Sequence, residues 1–363
     1  MLINPFQGAY GLDLGDRSVK IVQLRRKRKN WRSNGYILTH ASHLELPEGL
    51  IDNGEIQKPE EVIQLLKKHL AKKECRAVAK IPWAAVCLPE TKTYIQLIKI
   101  AAENHKMLKE MVGEAAPSHI PFETKDVYFD FEEILEKNVQ KGERAVLLAA
   151  APKNIVDSYT YLLNIAGLVP LAFEVEATAI VRAVINRRKD LSKEARGILD
   201  LGATRSSFII FDQGVIQFSL SLPISGIKIT NKIQEALRLE YAEAEKLKKE
   251  CGLERDKNGG KLRKVLEEIL EDLSQKLFRA IQFYKIHFPD HNPLTGIRLC
   301  GGGANLPALE NFLSARLKLK IRKANPWVNL FSKNYPPLPL DESLTYATAV
   351  GLALRALENP LKI

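Results

Sequence analysis

Two aspartates set in the same local pattern are the first sign of chemistry in this sequence. Asp13 lies in Gly11-Leu12-Asp13-Leu14-Gly15-Asp16-Arg17-Ser18-Val19-Lys20, and Asp200 in Ile198-Leu199-Asp200-Leu201-Gly202-Ala203-Thr204-Arg205. In each, an apolar run ends in Asp-Leu-Gly, passes a short polar turn and resumes as a second apolar run. That pattern predicts strand, tight turn, strand. A third glycine turn, Gly301-Gly302-Gly303, follows the apolar run 296–300. Glycine turns free backbone N–H groups to face an anion and let the backbone approach phosphate oxygens closely. A carboxylate at the same strand end would repel phosphate, but it is well placed to hold Mg2+ through water. One such carboxylate from each half of the chain would bracket a magnesium nucleotide. Lys20, returning along the second arm, would offset phosphate charge. A hairpin written once per half predicts two pseudo-symmetric domains with a ligand between them.

Composition fits this picture. A chain of 363 residues is too long for one typical core, so two domains or more are expected. The net charge of +11 suits an acidic partner, a nucleotide or an anionic membrane face. No nucleic-acid motif or aromatic-basic stripe accompanies it, so nucleic acid is not expected as a partner. Cys75, Cys87, Cys251 and Cys300 are scattered without metal-ligand spacing, which predicts reduced, structural thiols. Residues 1–6 lack the charged and apolar regions of a leader. No apolar run approaches the ~20 residues of a membrane span, so any membrane role is expected to be peripheral.

The elements that must position these turns follow in order. A basic run, 25–30, separates two strands, and Pro59 opens an amphipathic helix carrying Val62, Ile63, Leu65, Leu66 and His69. From 91 to 167 come a strand at 94–98, a helix over 101–116 stopping near Pro117, strands at 127–134 and 145–151, and a helix over 155–166. This block predicts a small inserted α+β module. A strand at 169–175 leads into a helix from Glu176. Residues 227–286 are mostly helical with a break around Asn258-Gly259-Gly260, and another helix is expected near 305–307. The last element, 343–357, spaces Ala347, Ala349, Gly351 and Ala353 closely and predicts a tightly packed buried helix.

At these residues the chain resembles a known family. Gly11-x-Asp13-x-Gly15 with Ser18-Val19-Lys20 is similar to the first phosphate motif of the actin-like ATPases, which include actin, the Hsp70 ATPase domain and FtsA. Asp200-x-Gly202-Ala203-Thr204 resembles their second phosphate motif, and Cys300-Gly301-Gly302-Gly303-Ala304 with Leu306 their adenosine motif. Glu176-Ala177-Thr178-Ala179 and the segment 345–353 resemble their two connecting helices. Within that superfamily the chain is similar to the PilM family of type IV pilus assembly. The corner Ile120-Pro121-Phe122, the strand end Ala149-Ala150-Ala151-Pro152 and the segments 220–230 and 242–249 carry that likeness.

The resemblance implies an α/β, actin-like ATPase fold: two pseudo-symmetric ribonuclease-H-like domains with an inserted small α+β module of the FtsA 1C type. Subdomain 1A would comprise 1–90, 168–193 and 343–363, 1C 91–167, 2A 194–226 with 281–342, and 2B 227–280. ATP or ADP with Mg2+ is the implied cofactor, with Asp13 and Asp200 on the metal side. Gly15, Ser18 and Lys20 would contact phosphate from one half, and Gly202, Ala203 and Thr204 from the other. Glu245 with Lys248 or Lys249 would lie near ribose and adenine, and Gly301, Gly302 and Gly303 would flank the base. Glu176, with Glu174 beside it, is the catalytic candidate, and hydrolysis is expected to be weak or absent. Asp16-Arg17, Arg205 and Pro82-Trp83-Ala84 depart from the family pattern.

The implied partners are the cytoplasmic N-terminal tail of a PilN-like inner-membrane protein and other proteins of the pilus platform or motor, with room for self-association. The tail would lie between the first domain and the inserted module, around the helix at 101–116. The implied location is cytoplasmic, peripheral on the inner face of the cytoplasmic membrane. The alternative is an FtsA-like membrane-associated cell-division or filament-forming actin homologue. The sequence after 357 leaves no room for the amphipathic anchor expected of that protein. A sugar kinase would require a substrate aspartate, and a chaperone a further domain; neither is identified.

Overall fold

The computed structural model describes residues 4–27, 35–134, 142–254, 260–288, 290–330 and 337–358. Tyr10–Leu14 (β1), Ser18–Lys27 (β2) and Gly35–Glu45 (β3) form an antiparallel meander, followed by a small ribbon of Ile51–Asp52 (β4) and Glu55–Ile56 (β5). Next come Pro59–Leu70 (α1), Arg76–Ala79 (α2) and Trp83–Leu88 (β6). Then follow Tyr94–Ala101 (β7), His105–His119 (α3), Val127–Ile134 (β8), Glu143–Pro152 (β9), Lys153–Ile165 (α4), Val169–Val175 (β10) and Glu176–Val184 (α5). The second half contains Ala195–Leu201 (β11), Ser206–Asp212 (β12), Val215–Leu222 (β13), Gly226–Leu237 (α6), Tyr241–Glu250 (α7) and Lys261–His287 (α8). Leu294–Cys300 (β14), Leu309–Leu317 (α9), Lys320–Lys323 (β15), Leu340–Ser343 (α10) and Ala347–Glu358 (α11) complete the described elements.

The repeat predicted from the two hairpins is a repeat of whole sheets. The first sheet runs β10-β6-β1-β2-β3 and the second β13-β12-β11-β14-β15. In each, a hairpin strand sits at the centre, its meander lies antiparallel on one side, and two later strands lie parallel on the other. Parallel pairing requires crossover connections. In the first half, α4 precedes β10; in the second, α9 precedes β15 in the corresponding place.

That correspondence bears on the block 91–167. A three-stranded sheet, β7-β9-β8, covered by α3, has its own apolar core around Ile98, Leu108, Val112, Ala116 and Leu148. α4 does not share it. Its buried residues Ile155, Tyr159, Leu162 and Leu163 join Leu12, Ile21, Val62 and Leu66 in the core of the first sheet. The inserted unit therefore ends structurally at β9. Helix α3 begins at Asn104, whose side chain accepts the Met107 N–H (3.0 Å), and runs two residues past Pro117. A proline in the last turn forfeits one bond, to the carbonyl of exposed Gly113, and Ile120 N–H still closes the helix on Ala116 O at 2.9 Å. The helix expected near 305–307 starts later. Gly302–Asn305 is a 3-10 turn, and Ala308 takes a left-handed φ of 62° before α9. Of the basic run 25–30, residues 28–30 lie outside the described residues, as do 255–259 of the expected helical break and 359–363 at the C-terminus.

α5 and α11 bind the halves together. α11 ends the second half yet packs on β1 and β2 of the first sheet, while α5 contributes Ala177, Ile180 and Ala183 to the core that holds Ile198 and Phe208 of the second. Their crossing leaves no volume for side chains. A Cβ on Gly351 would lie 1.8 Å from the Ala179 carbonyl oxygen, and one on Gly11 2.3 Å from that of Ala349. The small-residue spacing of the last helix thus sets backbone-to-backbone contact, as the sequence predicts. Gly351→Ala is expected to destabilise the chain by at least about 2 kcal/mol, the range of core overpacking, read as a lowered urea midpoint.

Candidate nucleotide cleft

Strand direction decides what lies at the mouth between the two sheets. β1, β6 and β10 are parallel, with Leu12 beside Val86 and Glu174 beside Cys87, so their C-terminal ends align. Open α/β sheets bind ligands at such ends. They deliver Asp13, Glu90 and Glu176, while β11 and β14, also parallel with Asp200 beside Cys300, deliver Asp200 and the Gly301 turn. A cleft of about 800 Å3 lies between, lined by Asp13, Gly15, Ser18, Lys20, Glu176, Asp200, Gly202, Ala203, Thr204, Glu245, Lys248, Lys249, Gly301, Gly302 and Gly303. Of the site residues expected from sequence, all but Glu174 face this one cavity.

The first jaw is a charged knot. Lys20 Nζ lies 3.4 Å from Asp13 Oδ2 and donates to Ser18 Oγ at 2.9 Å, and Cys87 Sγ donates to Asp13 Oδ1 at 3.3 Å. In the second jaw, a Cβ on Gly202 would meet the Arg205 carbonyl oxygen at 2.6 Å, so the turn requires glycine there. The glycine amides act differently from expectation. Gly15 N–H closes its hairpin on Ser18 O (3.0 Å), Gly202 N–H on Arg205 O (2.9 Å), and Gly301 N–H bonds Leu344 O (3.0 Å). The glycines supply close approach and turn geometry, and their own N–H groups are already engaged. Gly301, at φ 76°, lets the backbone pass where a Cβ would stand 2.7 Å from Asp200 Oδ1.

At the other end, Lys248 Nζ donates to Gly226 O (2.9 Å), Thr230 Oγ1 (2.7 Å) and Glu245 Oε2 (2.7 Å), while Lys249 reaches Glu245 Oε1 at 3.1 Å from an exposed position. Burial lowers the Lys248 pKa. Burial works to raise that of Glu245, but bonds from Lys248 and Thr230 hold it below the usual carboxylate range. Lys248 is thus a half-buried structural cation and Lys249 an exposed one.

The catalytic candidates separate. Glu174 is taken: Arg182 binds both its oxygens (2.6 and 2.8 Å) and Arg355 adds a third contact at 3.4 Å. Glu176 lines the cleft, and burial, then the charges of Asp200 and Asp13, push its pKa up to about 8. Asp200 is raised to about 6, by burial and by Asp13, against the bond from Cys300. Glu90, also raised by burial, bonds Ser219 of β13 and so crosses between the domains. Glu90 carries no motif of its own in the sequence, and the family departure Pro82-Trp83-Ala84 lies at the far end of β6. The parallel register with β1 puts residues 88–90 at the cleft.

No described group of three His, Cys, Asp or Glu side chains is placed to grip a metal directly. The residues do fit a hydrated Mg2+, which keeps several waters and needs only one or two carboxylates. Asp13 and Asp200 face one cavity, and their mutual repulsion is what a cation between them would relieve.

Paired β-meanders, swapped connecting helices and a cleft at the strand ends define the actin-like ATPase fold. Several solved structures share it. MreB5 of Spiroplasma citri, solved with ADP, aligns over 97% of each chain at a TM-score of 0.54 and 14% identity, and EutJ of Carboxydothermus hydrogenoformans over 97% of this chain and 90% of its own at 0.56 and 14%. A PilM–PilN type IV pilus biogenesis complex aligns over 97% of this chain and 99% of its own, at a TM-score of 0.81 and 26% identity. Cell division protein FtsA of Pseudomonas aeruginosa is 26% identical over 181 residues, which is 45% of this chain and 42% of that protein. The chain belongs to the type IV pilus assembly protein PilM family, whose model matches residues 11–357.

Glu176 carries a pH signature. Its folded pKa lies above the unfolded one, so the folded state holds the extra proton between 4.5 and about 8, and stability falls as pH rises through that window. Without magnesium, Glu176→Gln should flatten this decline, by at most about 1.4 kcal/mol per pH unit, in melts across the window.

Proposed function

We propose that this protein is a nucleotide-binding scaffold of the type IV pilus assembly platform, cytoplasmic and peripheral to the inner membrane. It binds ATP or ADP with Mg2+ in the cleft and recruits the N-terminal tail of a PilN-like membrane protein. The observation that carries the nucleotide half is the convergence of both Asp-Leu-Gly turns and the Gly301 turn on one cavity. Lys20 and Ser18 face phosphate from the first jaw, Ala203 and Thr204 from the second, and Asp13 and Asp200 hold the hydrated metal. Glu245, Lys249 and Gly302 flank ribose and base. The related MreB5 structures with ADP and AMPPNP support the same use of the fold.

Turnover is weak or absent. A carboxyl with a pKa near 8 is largely protonated at neutral pH and is a poor acceptor for the proton of an attacking water. The family match and the related PilM–PilN complex support the partner. The tail lies between the first sheet and the β7-β9-β8 unit near α3, leaving other surfaces for the pilus platform, the motor or a second copy. Among the described residues no helix is long and apolar enough to cross a membrane, which is compatible with peripheral attachment through such a partner. The alternative, an FtsA-like division protein, rests on a match to less than half of either chain.

Two measurements test this. Mg-ATP titration should give saturable binding that Asp13→Asn weakens about 10- to 100-fold, the cost of losing an outer-shell metal partner. An immobilised PilN-tail peptide should retain the wild-type chain. No retention with or without nucleotide would rule out the partner assignment.

A further inference from the structure

Arg205 crosses the cleft. It stands at the end of the second jaw, and its Nη1 lies 3.2 Å from Asp16 Oδ1 in the first. Asp16 is held rigidly from its own side. It is 4% exposed, the same oxygen accepts the Gly54 N–H at 3.0 Å, and the Gly54 carbonyl accepts the Tyr159 hydroxyl at 3.1 Å. The slot around the guanidinium is narrow, since a Cβ on Gly54 would come within 3.1 Å of Nη1. Yet this contact is Coulombic only: Nη1 is buried and donates a hydrogen bond to no acceptor among the described residues. A buried donor without an acceptor is costly, and so marks a place where an acceptor is missing.

The charges around it say which acceptor fits. Glu176 and Asp16 act most strongly on Arg205, and both line the cleft. A terminal phosphoryl group entering beside the carboxylate of Asp16 would be repelled unless a cation met it there. Of the other cations lining the cleft, Lys20 is bonded to Asp13 and Ser18, Arg17 is paired with Glu48, and Lys248 and Lys249 are paired with Glu245 on the base side. A guanidinium has a planar fork that binds phosphoryl oxygens in pairs. We propose that Arg205 reads the terminal phosphate, exchanging Asp16 for the γ-phosphoryl oxygens of a nucleoside triphosphate and so setting the preference for triphosphate over diphosphate. This rests on the nucleotide-binding function proposed above.

The test is calorimetric titration of Mg-ATP and Mg-ADP into wild type, Arg205→Gln, Arg205→Lys and Asp16→Asn, with melting curves to establish folding. The wild type should favour ATP. Arg205→Gln should reduce the ATP-to-ADP affinity ratio about tenfold, the value of one charge-assisted hydrogen bond, with partial recovery in Arg205→Lys. Asp16→Asn, which removes the competitor, should raise the ratio. A ratio unchanged in Arg205→Gln, or equal affinities throughout, overturns the inference while leaving nucleotide binding intact. If Arg205→Gln does not fold, Arg205→Lys and Asp16→Asn must still move the ratio in opposite directions. A wild type that binds neither nucleotide overturns the proposed function itself.

Discussion

Eight acidic side chains, Asp13, Asp16, Glu45, Glu90, Glu176, Asp200, Glu245 and Asp341, line one cleft against five basic ones, Arg17, Lys20, Arg205, Lys248 and Lys249. This charge imbalance is the constraint on which the rest depends. Burial raises the pKa of Glu90, Glu176 and Asp200, and neighbouring acids push Glu176 and Asp200 further up. Such an arrangement persists because parallel strand ends impose it. The register of β6 on β1, of β10 on β6 and of β14 on β11 carries the strand ends that bear Asp13, Glu90, Glu176 and Asp200 to one mouth. A divalent cation with a polyphosphate is the ligand chemistry that answers both the excess negative charge and the glycine-lined space beside it.

The scaffold that holds the jaws is duplicated, and the duplication is mechanical as well as visual. Each half sends its last helix to the other, α5 toward the second sheet and α11 toward the first. They meet with the Gly351 position against the Ala179 backbone. Relative movement of the two sheets must therefore pass through that crossing. Two side-chain contacts span the cleft, Arg205 with Asp16 and Glu90 with Ser219.

Much of this was legible in the sequence, for a physical reason. Asp13, Gly15, Asp200, Gly202 and Gly301 lie in local turns, where residue type and spacing nearly determine geometry, and the small residues of α11 announce a close crossing. What depended on register was not legible. Glu90 was overlooked because only the parallel pairing of β6 with β1 reveals which end of β6 meets the cleft. Glu174 and Glu176 looked equivalent until Arg182 and Arg355 claimed the first. α4 looked part of the inserted module until its apolar face was seen in the first core. Arg205 was legible only as an unusual residue, since its partner Asp16 comes from the other half of the chain.

The central claim is that both hairpin turns and the Gly301 turn close on one magnesium nucleotide. Hydrogen–deuterium exchange with and without Mg-ATP tests it most directly. Peptides covering 13–20, 200–207 and 300–306 should all slow together on adding nucleotide, and 127–134 of the inserted unit should not change. Protection confined to one turn, or absent from all three, would contradict the account.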